Sequence, residues 1–195
     1  MEFRALNKEE CEIVRLWRNK CPEALRTPFL LTKEQQEDFY TNVVCNRNAN
    51  ARYWGIWVEE KIVIADDDRL TSTAYHFNSV ADFKYTFIGM CGLENIEWSN
   101  GRAEISIILN PGMQRCGHGK KAFEMLMGKA FHELGLYSIW GECYACNEAF
   151  EFWLKMIYTY NAQSAILPVT KFYNGMYFGS KHFTFTKSEV YKCQE

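Results

Sequence analysis

Gln114-Arg115-Cys116-Gly117-His118-Gly119-Lys120-Lys121 is the stretch on which the reading of this 195-residue chain turns. Before it runs an extended segment, Glu104-Ile105-Ser106-Ile107-Ile108-Leu109, closed by Asn110-Pro111-Gly112. After it, apolar residues at 123, 126, 127, 130, 131 and 134 fall on one helical face, with Gly135 as a C-cap. Glycines at a strand-to-helix junction let the backbone curl, so that successive N–H groups and the helix N-terminus aim at one point. The helix dipole adds partial positive charge there, and Arg115, Lys120 and Lys121 add formal charge. Such a junction suits a pyrophosphate; an ordinary glycine turn ahead of a helix is the plainer alternative. A dinucleotide-binding fingerprint fits poorly, because its third glycine would fall at position 122, which is alanine.

Downstream, Leu136 to Tyr144 reads as a strand, and Asn147 opens a short helix with Phe150, Trp153, Leu154 and Ile157 on one face. Extended segments around Ala162–Val169 and His182–Thr186 close the chain, with Asn174-Gly175 as a turn signal between them. Upstream, Tyr53 to Val58 and Thr86 to Trp98 carry the aromatic and β-branched residues of strands. Two helices open the chain, each behind a capping box: Asn7 with Glu10, and Thr32 with Gln35. The first carries Cys11, Val14 and Trp17 as its apolar stripe, with Ile13 nearby, and the second carries Phe39 and Val43. Trp17-Arg18-Asn19 and Leu25-Arg26-Thr27-Pro28 connect them, in a surface loop of the kind that recognises substrates. Residues 59–84 show no steady period and are read as an insertion or long hairpin loop; Asp66-Asp67-Asp68 within it is a solvated acidic turn rather than a metal site. Helices leading into strands, then strand-helix-strand-helix-strand, predict one α/β domain over residues 1–195 with a mixed sheet.

Composition removes several function classes. Hydrophobic residues make up 48%, enough to bury a sizeable core, while a net charge of −2 leaves no basic field for a nucleic-acid partner. Met1-Glu2-Phe3-Arg4 begins no signal-like apolar run, and no stretch approaches the roughly 20 apolar residues of a membrane span. A cytoplasmic protein with free thiols is therefore expected from the eight cysteines. Cys143-Tyr144-Ala145-Cys146 has metal-like spacing but no second ligand pair, so no metal is expected there.

Two carboxylates stand out as proton acceptors. Glu142 lies between Trp140 and Tyr144 on one strand face, where partial desolvation is expected to raise its pKa into the range that deprotonates an alkylammonium. A salt-bridged structural role is the alternative. Glu104, on the neighbouring strand, is the second candidate.

The segment Gln114, Gly117, Gly119 resembles the pyrophosphate loop Gln/Arg-x-x-Gly-x-Gly/Ala of the GCN5-related N-acetyltransferases. Ala103 to Pro111 resembles the family's splayed central strand, and Ile139 to Ala149 is similar to the next strand and helix start of its ribosomal-protein N-terminal acetyltransferases. Trp17-Arg18-Asn19 is also similar to amino-sugar-nucleotide acetyltransferases of the superfamily. Together the main segments cover roughly residues 86 to 160. The resemblance implies a mixed, mostly antiparallel sheet with splayed central strands and flanking helices. It implies acetyl-CoA as co-substrate, its pantetheine arm along Ile107, Ile108 and Leu109 and against Asn147, which could also be a plain N-cap. The pyrophosphate would lie on the amides of Arg115, Cys116, Gly117, His118, Gly119 and Lys120, after Gln114. Glu142 would be the general base, with Glu104 as runner-up, and a backbone N–H of the 107–109 strand would hold the oxyanion. The acceptor would be a protein N-terminus, an amino sugar or another small amine, and the enzyme a possible homodimer. The chain departs from the family at the general acid, usually a tyrosine about seven residues after the asparagine. Here that place holds Trp153-Leu154, and Tyr158 and Tyr160 are off the pattern, so the acid is unassigned. A catalytically idle acetyl-CoA-binding module is the competing reading.

Overall fold

The computed structural model describes residues 1–27, 29–61 and 83–192. Most of the expected insertion, with Asp66-Asp67-Asp68, lies outside the described residues. Seven strands form one sheet in the order β1-β2-β3-β4-β5-β7-β6. They are β1 (Glu2–Arg4), β2 (Arg52–Lys61), β3 (Phe83–Glu97), β4 (Arg102–Leu109), β5 (Ser138–Tyr144), β6 (Gln163–Tyr173) and β7 (Met176–Thr186). Every neighbouring pair is antiparallel except β4 and β5. The expected mixed, mostly antiparallel α/β sheet is what the chain forms.

The opening helices α1 (Lys8–Asn19) and α2 (Lys33–Phe39) start where local chemistry fixes them. The Asn7 side chain accepts from the Glu10 N–H at 2.8 Å, and Glu10 accepts from the Asn7 N–H at 3.1 Å. Thr32 and Gln35 exchange the same pair of bonds at 3.2 and 2.9 Å. Each box satisfies two N–H groups that a helix start otherwise leaves bare. The chain does not begin with α1, however. Glu2–Arg4 pairs with Gly55–Trp57 as β1, a strand too short to show an alternation in sequence. The stripe of α1 narrows to Cys11 and Val14, with Trp17 stacked on Phe87 at 5.5 Å, while Ile13 faces outward.

On the other face of the sheet lie α3 (His118–Gly128), continued by a π-helical turn over Lys129–Glu133, and α4 (Phe150–Thr159). Gly135, at φ +67°, ends the first of these, as a C-cap glycine does. Asn147 does not open α4. Its carbonyl oxygen accepts from Phe150 N–H and its side chain from Ala149 N–H, which makes a turn and delays the helix by three residues. The buried face of α4 is consequently Trp153, Met156 and Ile157. A final helix, α5 (Lys187–Lys192), had no clear sequence signal. Among the described residues no helix is long and apolar enough to cross a membrane.

Strand β5 shows how one sequence serves two faces. Ile139, Gly141 and Cys143 are buried, while Trp140, Glu142 and Tyr144 alternate with them on the opposite side. The buried side meets an aromatic cluster centred on Phe123, which is fully buried. Its ring centroid lies 4.9 Å from Phe185, 5.2 Å from Tyr160 and 6.3 Å from Trp153. Phe123→Ala leaves a cavity that ties α3 to neither α4 nor β7. It is expected to cost about 3–5 kcal/mol, a fall of roughly 6–20 °C in Tm for a chain of this size, readable by calorimetry; Phe123→Leu should cost clearly less.

Candidate active site

The site begins where two strands part. β4 and β5 pair only between Arg102–Glu104 and Ser138–Trp140, although β4 runs on to Leu109 and β5 to Tyr144. Past Glu104 the two separate into a V. Asn110 donates to the Ile88 carbonyl at 2.8 Å, so its N–H points toward β3. By strand alternation the N–H and C=O of Ile108 point the same way, and those of Ile107 and Leu109 point into the V. Ile108, expected to offer its backbone there, turns its N–H and C=O toward β3 and packs against the Leu6, Cys11, Val14 and Met90 cluster.

The cleft holds about 270 Å³ and gathers residues from widely separated parts of the chain. Ile107 and Leu109 come from β4, Gln114 from the glycine loop, Glu142 from β5, Asn147 from the turn before α4, and Arg18 from α1. Of the loop, only Gln114 belongs to the cleft wall; Arg115 through Lys120 form the adjoining strand-to-helix turn. Arg115 at φ +62° and Gly117 at φ +82° make the turn, and Gly117 caps α3 with no side-chain bond. The first N–H groups of α3 therefore have no partner from a cap, as an anion site requires. A Cβ on Gly117 would meet nothing within 4 Å, whereas one on Gly119 would come 3.2 Å from the Phe152 ring. The first glycine serves conformation, the second the close packing of α3 on α4.

The two carboxylates share the cleft but not their circumstances. Glu104 is 4% exposed and both its oxygens are held: one by Arg26, the other by Asn95 Nδ2 at 2.9 Å. Burial pulls the Arg26 guanidinium down, but the adjacent Glu104 carboxylate outweighs it and holds the group above its ordinary value. Glu142 receives one contact, from His182 Nε2 at 3.1 Å across the β5–β7 pair. Its other oxygen accepts nothing from the described residues. Burial, and then Glu142 itself, push the nearby Tyr144 phenol up. Arg26, Asn95 and His182 were not foreseen as site residues. Only the Arg26-containing loop carried a hint, as a polar-aromatic connection.

Asn147 uses its side-chain oxygen on Ala149 N–H at 2.8 Å, which leaves its Nδ2 donors for the cleft. Trp153 occupies the wall where the acid was sought, stacked on Phe183 at 4.8 Å. Tyr158 is 90% exposed, and Tyr160 donates to Glu124 at 2.6 Å. No tyrosine is among the described residues lining the cleft. Cys143 and Cys146 are free thiols, and among the described residues no group of three or more His, Cys, Asp or Glu is placed to hold a metal.

The acetyltransferase (GNAT) domain family matches residues 1–151. No curated protein matches the chain. Among solved structures, mutant forms of the spermidine/spermine N-acetyltransferase SpeG from Vibrio cholerae superpose with a TM-score of 0.72 at 16% identity, over 100% of this chain and 98% of that one. The spermidine N-acetyltransferase of Vibrio cholerae in complex with CoA and spermine gives 0.68 at 16% identity, over 97% of each chain. At that identity the likeness is one of fold.

The Glu104 arrangement makes a stability prediction. Arg26→Ala removes one partner of a buried carboxylate and is expected to cost about 1–3 kcal/mol. Adding Glu104→Gln, which no longer needs a cation, should restore part of that loss. A double-mutant cycle by denaturant unfolding checks it, with additive losses as the contrary outcome.

Proposed function

The chain belongs to the acetyltransferase (GNAT) family and is an N-acetyltransferase that uses acetyl-CoA; from that premise we propose direct transfer of the acetyl group to a primary amine in a ternary complex. The observation that carries the reading is the parting of β4 from β5 directly beside two carboxylates, with the glycine turn of α3 close by. Acetyl-CoA, when bound, supplies an activated thioester. Along its arm, Ile107 and Leu109 offer strand N–H and C=O groups, and Asn147 offers Nδ2. The turn from Arg115 to Lys120 offers backbone N–H groups to the pyrophosphate, after Gln114. A backbone N–H of Ile107 or Leu109 holds the thioester oxygen as charge develops on it. Glu142 takes a proton from the acceptor ammonium directly or through water, which frees the neutral amine to attack, because one Glu142 oxygen accepts nothing from the described residues while both of Glu104 are engaged. Glu104 shapes and charges the acceptor side. With no tyrosine among the described residues of the cleft wall, water is the proton donor this reading assigns to the departing thiolate.

We read the whole chain, residues 1–195, as one such transferase domain. Its acceptor is a protein N-terminus or a small amine. The described cysteines are free thiols, which suits a reducing cytoplasm. A homodimer fits the edge strand β6, which exposes Ile166, Val169 and Phe172.

Two measurements test this function. Acetyl-CoA at a hundredfold excess over Kd should stabilise the protein by about 2.7 kcal/mol, a Tm rise of roughly 5–10 °C. Gly117→Asp puts a strained side chain and a negative charge in the α3 turn and should abolish the rise; an undiminished rise removes the turn from the site. Glu142→Gln should lower kcat by about 10²–10⁴-fold with acetyl-CoA affinity nearly unchanged. The residual rate should climb with pH toward the amine pKa near 10.4, since only unprotonated amine then reacts. Full activity of Glu142→Gln at neutral pH places the base elsewhere, with Glu104 the next to vary.

A further inference from the structure

One cation in the cleft neither takes part in acetyl transfer as derived above nor pairs with a carboxylate among the described residues. Arg18, in the last turn of α1, lines the cleft and also a second cavity of about 440 Å³ beside it. That second cavity is walled by Tyr53, Met90, Glu94 and Asn95 from β2 and β3 and by Phe39. Glu104 and Glu142 line only the first cavity, whereas Arg18 and Glu94 line both and mark where the two join.

The Arg18 guanidinium is half-buried, yet among the described residues none accepts a hydrogen bond from it or forms a close ion pair with it. Glu94 acts on it through space, and burial and then Glu94 push the Tyr53 phenol up. Elsewhere in the site the cations are engaged, as Arg26 is by Glu104. A guanidinium carries five N–H donors in a planar fork that matches the paired oxygens of a carboxylate or phosphate. Left without an acceptor inside a cavity, that fork is a site for an incoming oxyanion. A second ammonium in the same place would face like charge.

Resting on the acetyl-transfer reading, we propose that Arg18 is the anion subsite of the acceptor: the amine this chain acetylates carries a carboxylate or phosphate at its far end, and the Arg18 guanidinium binds that group. The amine end lies toward Glu104 and Glu142 and the anionic end toward β3, so one molecule spans the join of the two cavities. The acceptor is then zwitterionic and unlike a polyamine, whose remote end is also a cation.

The test compares CoA release for four acceptor series of matched length: ω-amino acids, ω-aminoalkyl phosphates, n-alkylamines and α,ω-diamines. At the best length, kcat/KM for an anionic acceptor should exceed that for the neutral alkylamine by about 10- to 100-fold, as a lost charged hydrogen-bond pair implies. Diamines should fall lowest. The carboxylate and phosphate arms show which oxyanion fits. In Arg18→Gln the anionic-to-neutral ratio should drop to about one, mostly through KM, and Arg18→Lys should keep part of it. A preference for diamines, or an anionic preference that survives Arg18→Gln, overturns the proposal. The acetyl-CoA-induced Tm rise verifies that each variant is folded. If no amine is acetylated, the transfer reading fails, and the subsite is decided by binding alone. With CoA present, 6-aminohexanoate or 4-aminobutyl phosphate should raise the Tm of the unaltered chain and not of Arg18→Gln; no rise in either overturns the proposal.

Discussion

Everything in this site follows from three residue pairs. Arg102, Ala103 and Glu104 pair with Ser138, Ile139 and Trp140, and the parallel ladder then stops. A strand that lacks a neighbour inside a sheet leaves backbone N–H and C=O groups that need partners. In β4 the partners on the β3 side are present as far as Leu109, so only the side toward β5 is open. The gap is held by what surrounds it: α3 and α4 pack on one face around Phe123, and β5 is kept in place by its full antiparallel pairing with β7. The V is thus a rigid absence, maintained by the core and by β7.

The carboxylates illustrate how the same residue type takes different parts. Glu104 sits at the last paired position and is held by Arg26 and by Asn95. Asn95 reaches it from an irregularity in β3, where a positive φ of 49° turns the side chain of the bulge toward β4. Glu142, two residues beyond the last pair of β5 with β4, has a single histidine contact among the described residues. A carboxylate held at both oxygens fixes structure and field, and one with a free oxygen can accept a proton. The sequence neighbours of these two glutamates do not reveal that difference.

Legibility in the sequence followed the range of the interaction. Capping boxes at Asn7 and Thr32, the glycine turn at 114–119 and the alternation of β5 are local, and each lies where the residue pattern places it. The three residues of β1 are too few to carry a period. The partners of the glutamates are distant: Arg26 is 78 positions from Glu104, and His182 comes from a strand that meets β5 only in the folded sheet. Asn147 was misplaced by about one helical turn because its backbone and side chain both serve a preceding turn, which competes with helix initiation. Arg18 is visible in the sequence as part of a polar-aromatic connection and of the Trp17-Arg18-Asn19 resemblance; its lack of a partner among the described residues is a property of the packed cleft.

The fork also acts as a ruler. From Ile105 to Leu109 the open wall of β4 spans roughly 13 Å at about 3.3 Å per residue, between the turn that leads to α3 at one end and Glu104 at the other. A flexible arm laid along this wall must be drawn out nearly straight before its reactive end arrives beside the carboxylates. Arms of other lengths stop short of them or overrun them. On the proposed reading, by fixing where β4 and β5 cease to pair, the sheet measures its co-substrate, selecting for reach before any side chain selects for chemistry.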